Sequence, residues 1–120
     1  MSKILAILED EHSVSNTICL ISKRYGFQPF CFSCVEELID NLEMLKLVDL
    51  FITDFDLHDS NVIPLLKEMK KNDIQVYTIL NSGNPSAIKE IEKQGLGNMI
   101  NRVLDKTENF NVFFKNLVEN

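Results

Sequence analysis

The most restrictive feature of this sequence is an alternation of short apolar runs with longer amphipathic segments. The apolar runs are rich in β-branched residues and have no distinct polar face, which is typical of strands buried on both faces of a parallel sheet. The expected strands cover residues 4–8, 50–53, 76–80 and 99–104, with a weaker strand at 28–32 that is expected nearer an edge. The sequence therefore predicts five strands.

Helical segments follow these strands, with apolar residues recurring at spacings of three and four. Their predicted ends carry residues that commonly begin or end helices. These residues are Gly26 after the first helix, the capping-box pair Ser33 and Glu36 at the second, Ser60 or Asn61 before the third, Asn84-Pro85 at the start of the fourth and Gly95 after it. The last helix carries an apolar stripe of Phe110, Phe113, Phe114, Leu117 and Val118. Five strands alternating with five helices predict an α/β fold, a doubly wound parallel sheet with helices on both faces.

The size and charge of the chain exclude several classes of protein. Its 120 residues suffice for one domain, and 45% hydrophobic with 25% charged residues is ordinary for a folded globular protein. A net charge of −6 argues against direct nucleic-acid binding. The apolar runs are too short to cross a membrane, and Lys3 lies too early for a secretory signal. With three cysteines, an odd number, these features predict a reduced cytoplasmic protein.

Polar side chains follow four of the predicted strands, at the carboxyl ends where such sheets hold their functional groups. They are Glu9 and Asp10 after the first strand, Asp54 and Asp56 after the third, Ser82 after the fourth and Lys106 after the fifth. Carboxylates from two loops suit Mg²⁺. An aspartate beside such a cation can accept a phosphoryl group whose oxygens a lysine and a hydroxyl hold. The ordinary alternative is that these acids are solvated loop residues without a function. The convergence of four strand ends favours a phosphoacceptor site instead.

Three segments at these strand ends resemble the receiver domains of response regulators, the CheY-like family. They are KILAILEDE at 3–11, DLFITD at 49–54 and VLDK at 103–106, in the order and spacing of that family. The resemblance covers essentially the whole chain and implies a flavodoxin-like sheet of order 2-1-3-4-5 in a single receiver domain, residues 1–120. It implies a phosphoacceptor of a two-component system rather than an enzyme. The implied partners are a histidine kinase or phosphotransfer protein and a downstream protein or fused output domain.

The resemblance also implies a role for each acidic residue. Asp54 would be the phosphoacceptor at the end of the third strand. The Mg²⁺ ligands would come from Glu9, Asp10, Asp54 and Asp56, the last through its backbone carbonyl.

The remaining polar residues would handle the phosphoryl group itself. Lys106 would bind its oxygens, and Ser82 would be the switch hydroxyl, which can donate a hydrogen bond to one of them. Asp56 and Asn84, each two residues after the acceptor or the switch hydroxyl, would flank the path of the water that removes it.

Several positions depart from the family pattern. Glu9 stands where aspartate is usual, and His58-Asp59 stands where Pro-Gly is common. Val103 occupies the aromatic switch position, and Thr107 replaces the proline that usually follows the lysine. A trans Lys106–Thr107 bond is expected because a cis bond would cost about 3 kcal/mol. An insertion is expected around residues 95–99, and the conformational response to phosphorylation is expected to be reduced.

Two other functions fit parts of this pattern. The departures at Glu9, Val103 and Thr107 would suit a pseudo-receiver that is never phosphorylated and acts as a protein-interaction module. The DxD spacing of Asp54 and Asp56 resembles haloacid-dehalogenase-type phosphatases, in which they would be nucleophile and general acid/base. Those enzymes carry the motif on their first strand and need a further acidic pair, which does not follow Lys106 here.

A thiol site is a third alternative, because Cys31 and Cys34 form a C-x-x-C at a strand-to-helix junction. A helix N-terminus there could lower a thiol pKa. No second pair with zinc-ligand spacing accompanies them. Packing within the strand and the following helix is the favoured interpretation of both cysteines.

Overall fold

The computed structural model describes residues 3–119. It contains a five-stranded, all-parallel sheet of order β2-β1-β3-β4-β5, which confirms the predicted fold class and strand order. The strands are β1 Lys3–Leu8, β2 Phe27–Phe32, β3 Leu50–Thr53, β4 Tyr77–Asn81 and β5 Arg102–Leu104. The last strand is shorter than predicted, because residues Gly97–Met99 form a 3₁₀ turn before it.

Five helices connect and follow the strands, as predicted. They are α1 His12–Arg24, α2 Val35–Ile39, α3 Ile63–Lys71, α4 Ala87–Lys93 and α5 Phe110–Glu119. A 3₁₀ segment, Leu42–Leu47, extends the connection after α2. Between residues 3 and 119, no helix combines the length and the apolar character that a membrane span requires.

The sheet separates two apolar cores, and β1 contributes to both. Leu5 and Ile7 belong to the core beneath α1 and α5, whereas Ala6 and Leu8 belong to the core beneath α2, α3 and α4. Successive side chains of a strand point to opposite faces, so this alternation places helices on both sides of the sheet. All four residues are fully buried, which explains why the sequence of β1 shows no polar face.

The predicted helix ends are right in some places and wrong in others. Gly26 and Gly95 follow α1 and α4 with positive φ angles of 87° and 73°, as expected for glycines that end helices. The N-cap of α3 is Val62, so neither Ser60 nor Asn61 caps it, although Asn61 accepts a hydrogen bond from the backbone N–H of Ile63 at 2.9 Å. The first turn of the fourth helix is displaced, because α4 begins at Ala87 rather than at Pro85.

The predicted capping box of α2 is wrong. The Ser33 side chain accepts no hydrogen bond from the first N–H groups of α2, and the Glu36 side chain does not bind the backbone N–H of Ser33. Those groups are instead bound by a carboxylate from a distant loop, that of Asp59. Local sequence spacing cannot reveal a cap that comes from another part of the chain.

The apolar stripe of α5 packs as predicted over most of its length. Phe110, Phe113 and Phe114 are buried, and their rings contact one another with centroids 5.2–6.2 Å apart. Val118, at the end of the stripe, is half exposed. The core therefore takes the phenylalanines and leaves the last valine outside it.

Candidate functional site

The register of the sheet brings four strand ends to one edge. Leu8 of β1 pairs with Thr53 of β3, Thr53 pairs with Leu80 of β4, and Leu80 pairs with Val103 of β5. The residues that follow these positions therefore meet above the same edge, as expected for parallel strands.

The acidic residues of this edge form one cluster. Glu9, Asp10 and Asp54 each offer a carboxylate oxygen, and these three oxygens lie within 4.8 Å of one another. Glu9 is buried, Asp10 is exposed and Asp54 lies between these extremes. The backbone N–H of Asp54 donates to the carbonyl of Leu8 at 3.0 Å, so hydrogen bonding between β1 and β3 continues to Asp54. The structure thus brings together three of the predicted metal ligands.

Lys106 reaches into this cluster from the loop after β5. Its Nζ donates to Glu9 Oε1 and lies 3.2 Å from Asp54 Oδ2. Burial alone would lower the pKa of Lys106, but the hydrogen bond to Glu9 and the charge of Asp54 outweigh it, so the pKa is raised. Burial raises the pKa of Glu9, while the contact with Lys106 opposes that rise. The ammonium therefore balances two carboxylates.

Asn81 holds the chain on which Lys106 lies, a role that the sequence reasoning missed. Its side-chain N–H groups donate to the carbonyls of Leu104 and Asp105 at 3.3 and 3.1 Å. The backbone N–H of Ser82 also donates to Leu104, at 3.2 Å. An amide at the end of the apolar run of β4 was the signal that could have identified it, because a buried polar group needs partners.

The predicted switch and water-path residues form a chain of hydrogen bonds. Ser82 is almost fully buried, and its Oγ accepts from the backbone N–H of Asn84 at 3.0 Å. The hydroxyl proton remains available to another acceptor. The side-chain amide of Asn84 donates to Asp56 Oδ2 at 3.2 Å. Asp56 and Asn84 are therefore in direct contact.

The donor set suits Mg²⁺. This ion takes six oxygen ligands at about 2.0–2.1 Å, so two opposite ligands lie about 4.2 Å apart. The carboxylate oxygens within 4.8 Å of one another need to close only slightly. Both oxygens of Glu9 already accept hydrogen bonds, from Lys106 and from the backbone N–H of Glu11 at 3.1 Å. Direct ligation by Glu9 would compete with Lys106, and Asp54 also lies against Lys106, so Asp10 is the freest of the three carboxylates.

The family departures have distinct structural settings. Val103 is 51% exposed on β5. The Lys106–Thr107 bond is trans as expected, since the described chain has no cis peptide bond. The N–H of Thr107 donates to Asp105 Oδ1 at 2.8 Å, which closes a short turn around Lys106. The Gly97–Met99 turn lies within residues 95–99, where an insertion is expected.

The cysteines do not form a metal site within the part of the chain that the structure describes. All three are free thiols, and the acidic cluster is the metal-ligand group found there. Burial raises the pKa of Cys19, and the neighbouring Cys31 thiol adds to the rise. Cys31 lies on the edge strand and is exposed, so its expected burial is wrong, whereas Cys34 is half-buried and immediately precedes α2.

Neither a protein-family model nor a curated protein matches the sequence. Solved structures do match. The signal receiver domain of a putative Luxo repressor protein from Vibrio parahaemolyticus has a TM-score of 0.79 and 19% identity, covering 99% of this chain and 89% of that chain. A CheY-like receiver domain from Methanospirillum hungatei JF-1 has a TM-score of 0.78 and 18% identity, covering 99% and 93%. One from Methylobacillus flagellatus has a TM-score of 0.79 and 16% identity, covering 99% and 98%. The chain therefore has the fold of response-regulator receiver domains.

Proposed function

We propose that residues 1–120 form one receiver domain of a two-component system, which accepts a phosphoryl group on Asp54 with the help of Mg²⁺. The observation that carries this proposal is the position of Asp54 at the end of β3, beside two further acids and the ammonium of Lys106. A histidine kinase or phosphotransfer protein would be the donor. On this proposal the domain is cytoplasmic and signals through a downstream protein or fused output domain, and it is not an enzyme.

The chemistry follows from the neighbours of Asp54. One carboxylate oxygen forms the bond to phosphorus as the bond from phosphorus to the donor breaks. Oδ1 accepts from the backbone N–H of Phe55 at 2.7 Å, which fixes the plane of the carboxylate. Asp10, Asp54 and the carbonyl of Asp56 would hold Mg²⁺, which would neutralise charge on the incoming phosphoryl group. Glu9, whose two oxygens already accept hydrogen bonds, would join this set through water.

The transferred group then needs donors. The Lys106 ammonium, released in part from Asp54 and Glu9, holds one phosphoryl oxygen, and the Ser82 hydroxyl donates to another. Asp56 and Asn84 hydrogen-bond the water that later attacks the acyl phosphate. The domain thereby returns to its starting state.

A pseudo-receiver is the second candidate, and the Glu9–Lys106 contact favours it. In that protein the lysine would remain paired with Glu9 and the surface would act as an interaction module without phosphorylation. A phosphatase of the haloacid-dehalogenase type would instead turn over a phosphate ester at Asp54 and Asp56.

The test is intact-mass spectrometry after incubation with acetyl phosphate and Mg²⁺. The wild type should gain one phosphoryl group, and neither the Asp54→Asn variant nor a chelator-treated sample should gain any. Equal incorporation in the wild type and in Asp54→Asn would refute the acceptor assignment. No incorporation in the wild type would favour the pseudo-receiver, and turnover of p-nitrophenyl phosphate would favour the phosphatase.

A further inference from the structure

One exposed side chain of the loop after β3 accepts hydrogen bonds from the start of α2. Asp59 Oδ1 accepts from the backbone N–H of Val35, and Oδ2 accepts from that of Glu36, each at 3.0 Å. These partners lie 24 and 23 residues away in the chain and are the first two residues of α2. One carboxylate thus joins two separate elements with two parallel hydrogen bonds.

This contact supplies what the start of α2 needs. The first N–H groups of a helix have no partner within it, and a carboxylate is a favourable acceptor there. Cys34, which precedes the helix, makes no side-chain cap. The hydrogen bond from the Val35 N–H is the main cause of the lowered pKa of Asp59, so the Asp59 carboxylate is charged at neutral pH.

The loop itself is closed by its own backbone. We call residues 54–62 the β3–α3 loop. Within it the N–H of Leu57 donates to Ser60 at 2.8 Å, and that of Val62 donates to Phe55 at 2.9 Å. Asp56 and Asn61 form an antiparallel bridge. Asp59 lies within the turn that the Leu57–Ser60 bond closes, and the Asp56–Asn61 bridge flanks that turn, so fixing Asp59 against α2 restricts where the turn and Asp56 can lie.

We infer that Asp59 is a positioning residue, which holds the β3–α3 loop against α2. It thereby sets the position of the Asp56 carbonyl and of the Phe55 N–H, which donates to Asp54. The inference deepens the proposed function and rests on it for the use of that carbonyl by Mg²⁺. A His58-Asp59 turn lacks the backbone restraint of the proline found in a Pro-Gly turn. The carboxylate of Asp59 replaces that restraint with a tether.

The test compares Asp59→Ala with Asn41→Ala. Asn41 lies just past the opposite end of α2, and its side chain donates to the carbonyl of Glu37 at 2.8 Å. Its backbone bonds to Leu38 and Met44 likewise stay within α2 and the segment that follows it. Amide hydrogen exchange at Leu57 and Val62 should accelerate in Asp59→Ala and stay near the wild-type rate in Asn41→Ala. Mg²⁺ affinity, measured by calorimetry, should fall about three- to tenfold in Asp59→Ala, at or below the range for residues that orient metal ligands.

A conservative variant separates positioning from general instability. In Asp59→Asn the amide oxygen can still accept a hydrogen bond, so loop exchange and Mg²⁺ affinity should fall between those of the wild type and Asp59→Ala. Wild-type exchange at Leu57 and Val62 in Asp59→Ala would overturn the inference, as would equal changes in Asn41→Ala. Wild-type protein that binds no Mg²⁺ would count against the proposed function, whereas the exchange rates would still decide the role of Asp59.

Discussion

Replacing Lys106 with methionine should destabilise the metal-free protein by leaving Glu9 buried without its cation. Methionine keeps an apolar chain of similar length, so the change removes mainly the charge. Losing one partner of a fully buried ion pair costs about 3–5 kcal/mol. The Glu9 side chain is only 4% exposed, but that of Lys106 is 29% exposed, and Glu9 can take up a proton. We therefore expect a cost of about 2 kcal/mol at neutral pH, less than the fully buried case.

The loss of stability in Lys106→Met should vary with pH and with Mg²⁺ in the way expected if unpaired Glu9 causes it. The pKa of Glu9 is already raised by burial, and removing the ammonium should raise it further. An ionised buried acid destabilises the fold above its folded-state pKa, and this penalty disappears as the pH falls toward the unfolded-state pKa. The difference between Lys106→Met and wild type should therefore narrow from pH 7 to pH 5. Mg²⁺ should stabilise the variant more than the wild type, because it supplies the missing positive charge.

The assay is urea unfolding followed by circular dichroism, applied to a double-mutant cycle with Glu9→Gln. In Glu9→Gln, Lys106 keeps Asp54 at 3.2 Å, so the cost should be about 1 kcal/mol or less. The double variant should be more stable than the sum of the two changes predicts, by about 1 kcal/mol. Additive costs, or a Lys106→Met variant as stable as wild type, would refute the expected coupling of Glu9 and Lys106.

Three further outcomes are expected. Because the pKa of Asp59 is lowered, its carboxylate stabilises the fold above its unfolded-state pKa of about 3.9, and this contribution is lost as the pH falls through the folded-state pKa. The free energy of unfolding of Asp59→Asn should therefore fall less steeply below about pH 4 than that of the wild type; an equally steep fall in both proteins would contradict this. Replacing Asn84 with leucine should lengthen the acyl-phosphate lifetime about threefold or more, since general acid–base positioning of water contributes at least that much, and an unchanged half-life by mass spectrometry would remove the role of Asn84. Beryllofluoride with Mg²⁺ should perturb amide resonances mainly in the loops after β1, β3 and β4, because Val103, at the aromatic switch position, is stiff and lacks a polar tip. Large changes through α4 and α5 would show that the conformational response to phosphorylation is not reduced.

The fold could be read from the sequence because its main signals are local. The apolar runs of β1 and β3 are short, β-branched and without a polar face, and a strand with those properties needs cover on both sides. Once the strands are parallel, their carboxyl ends share one edge, so the meeting of Glu9, Asp54 and Lys106 follows from chain order and topology. The phenylalanines of α5 were likewise predictable, because helical periodicity marks the face that must be buried.

Tertiary structure decided which side chains pair once they meet. The sequence placed Ser33 and Glu36 as the caps of α2, but the acceptor that binds those N–H groups is Asp59, more than twenty residues away. It also left Glu9 as one of several acids, whereas folding buries it against Lys106. Such pairings depend on burial and on distances between loops, and neither quantity is encoded in the spacing of neighbouring residues. A buried polar group takes whichever partner the packed chain brings within hydrogen-bond reach, because leaving it without one costs more than most surface contacts contribute.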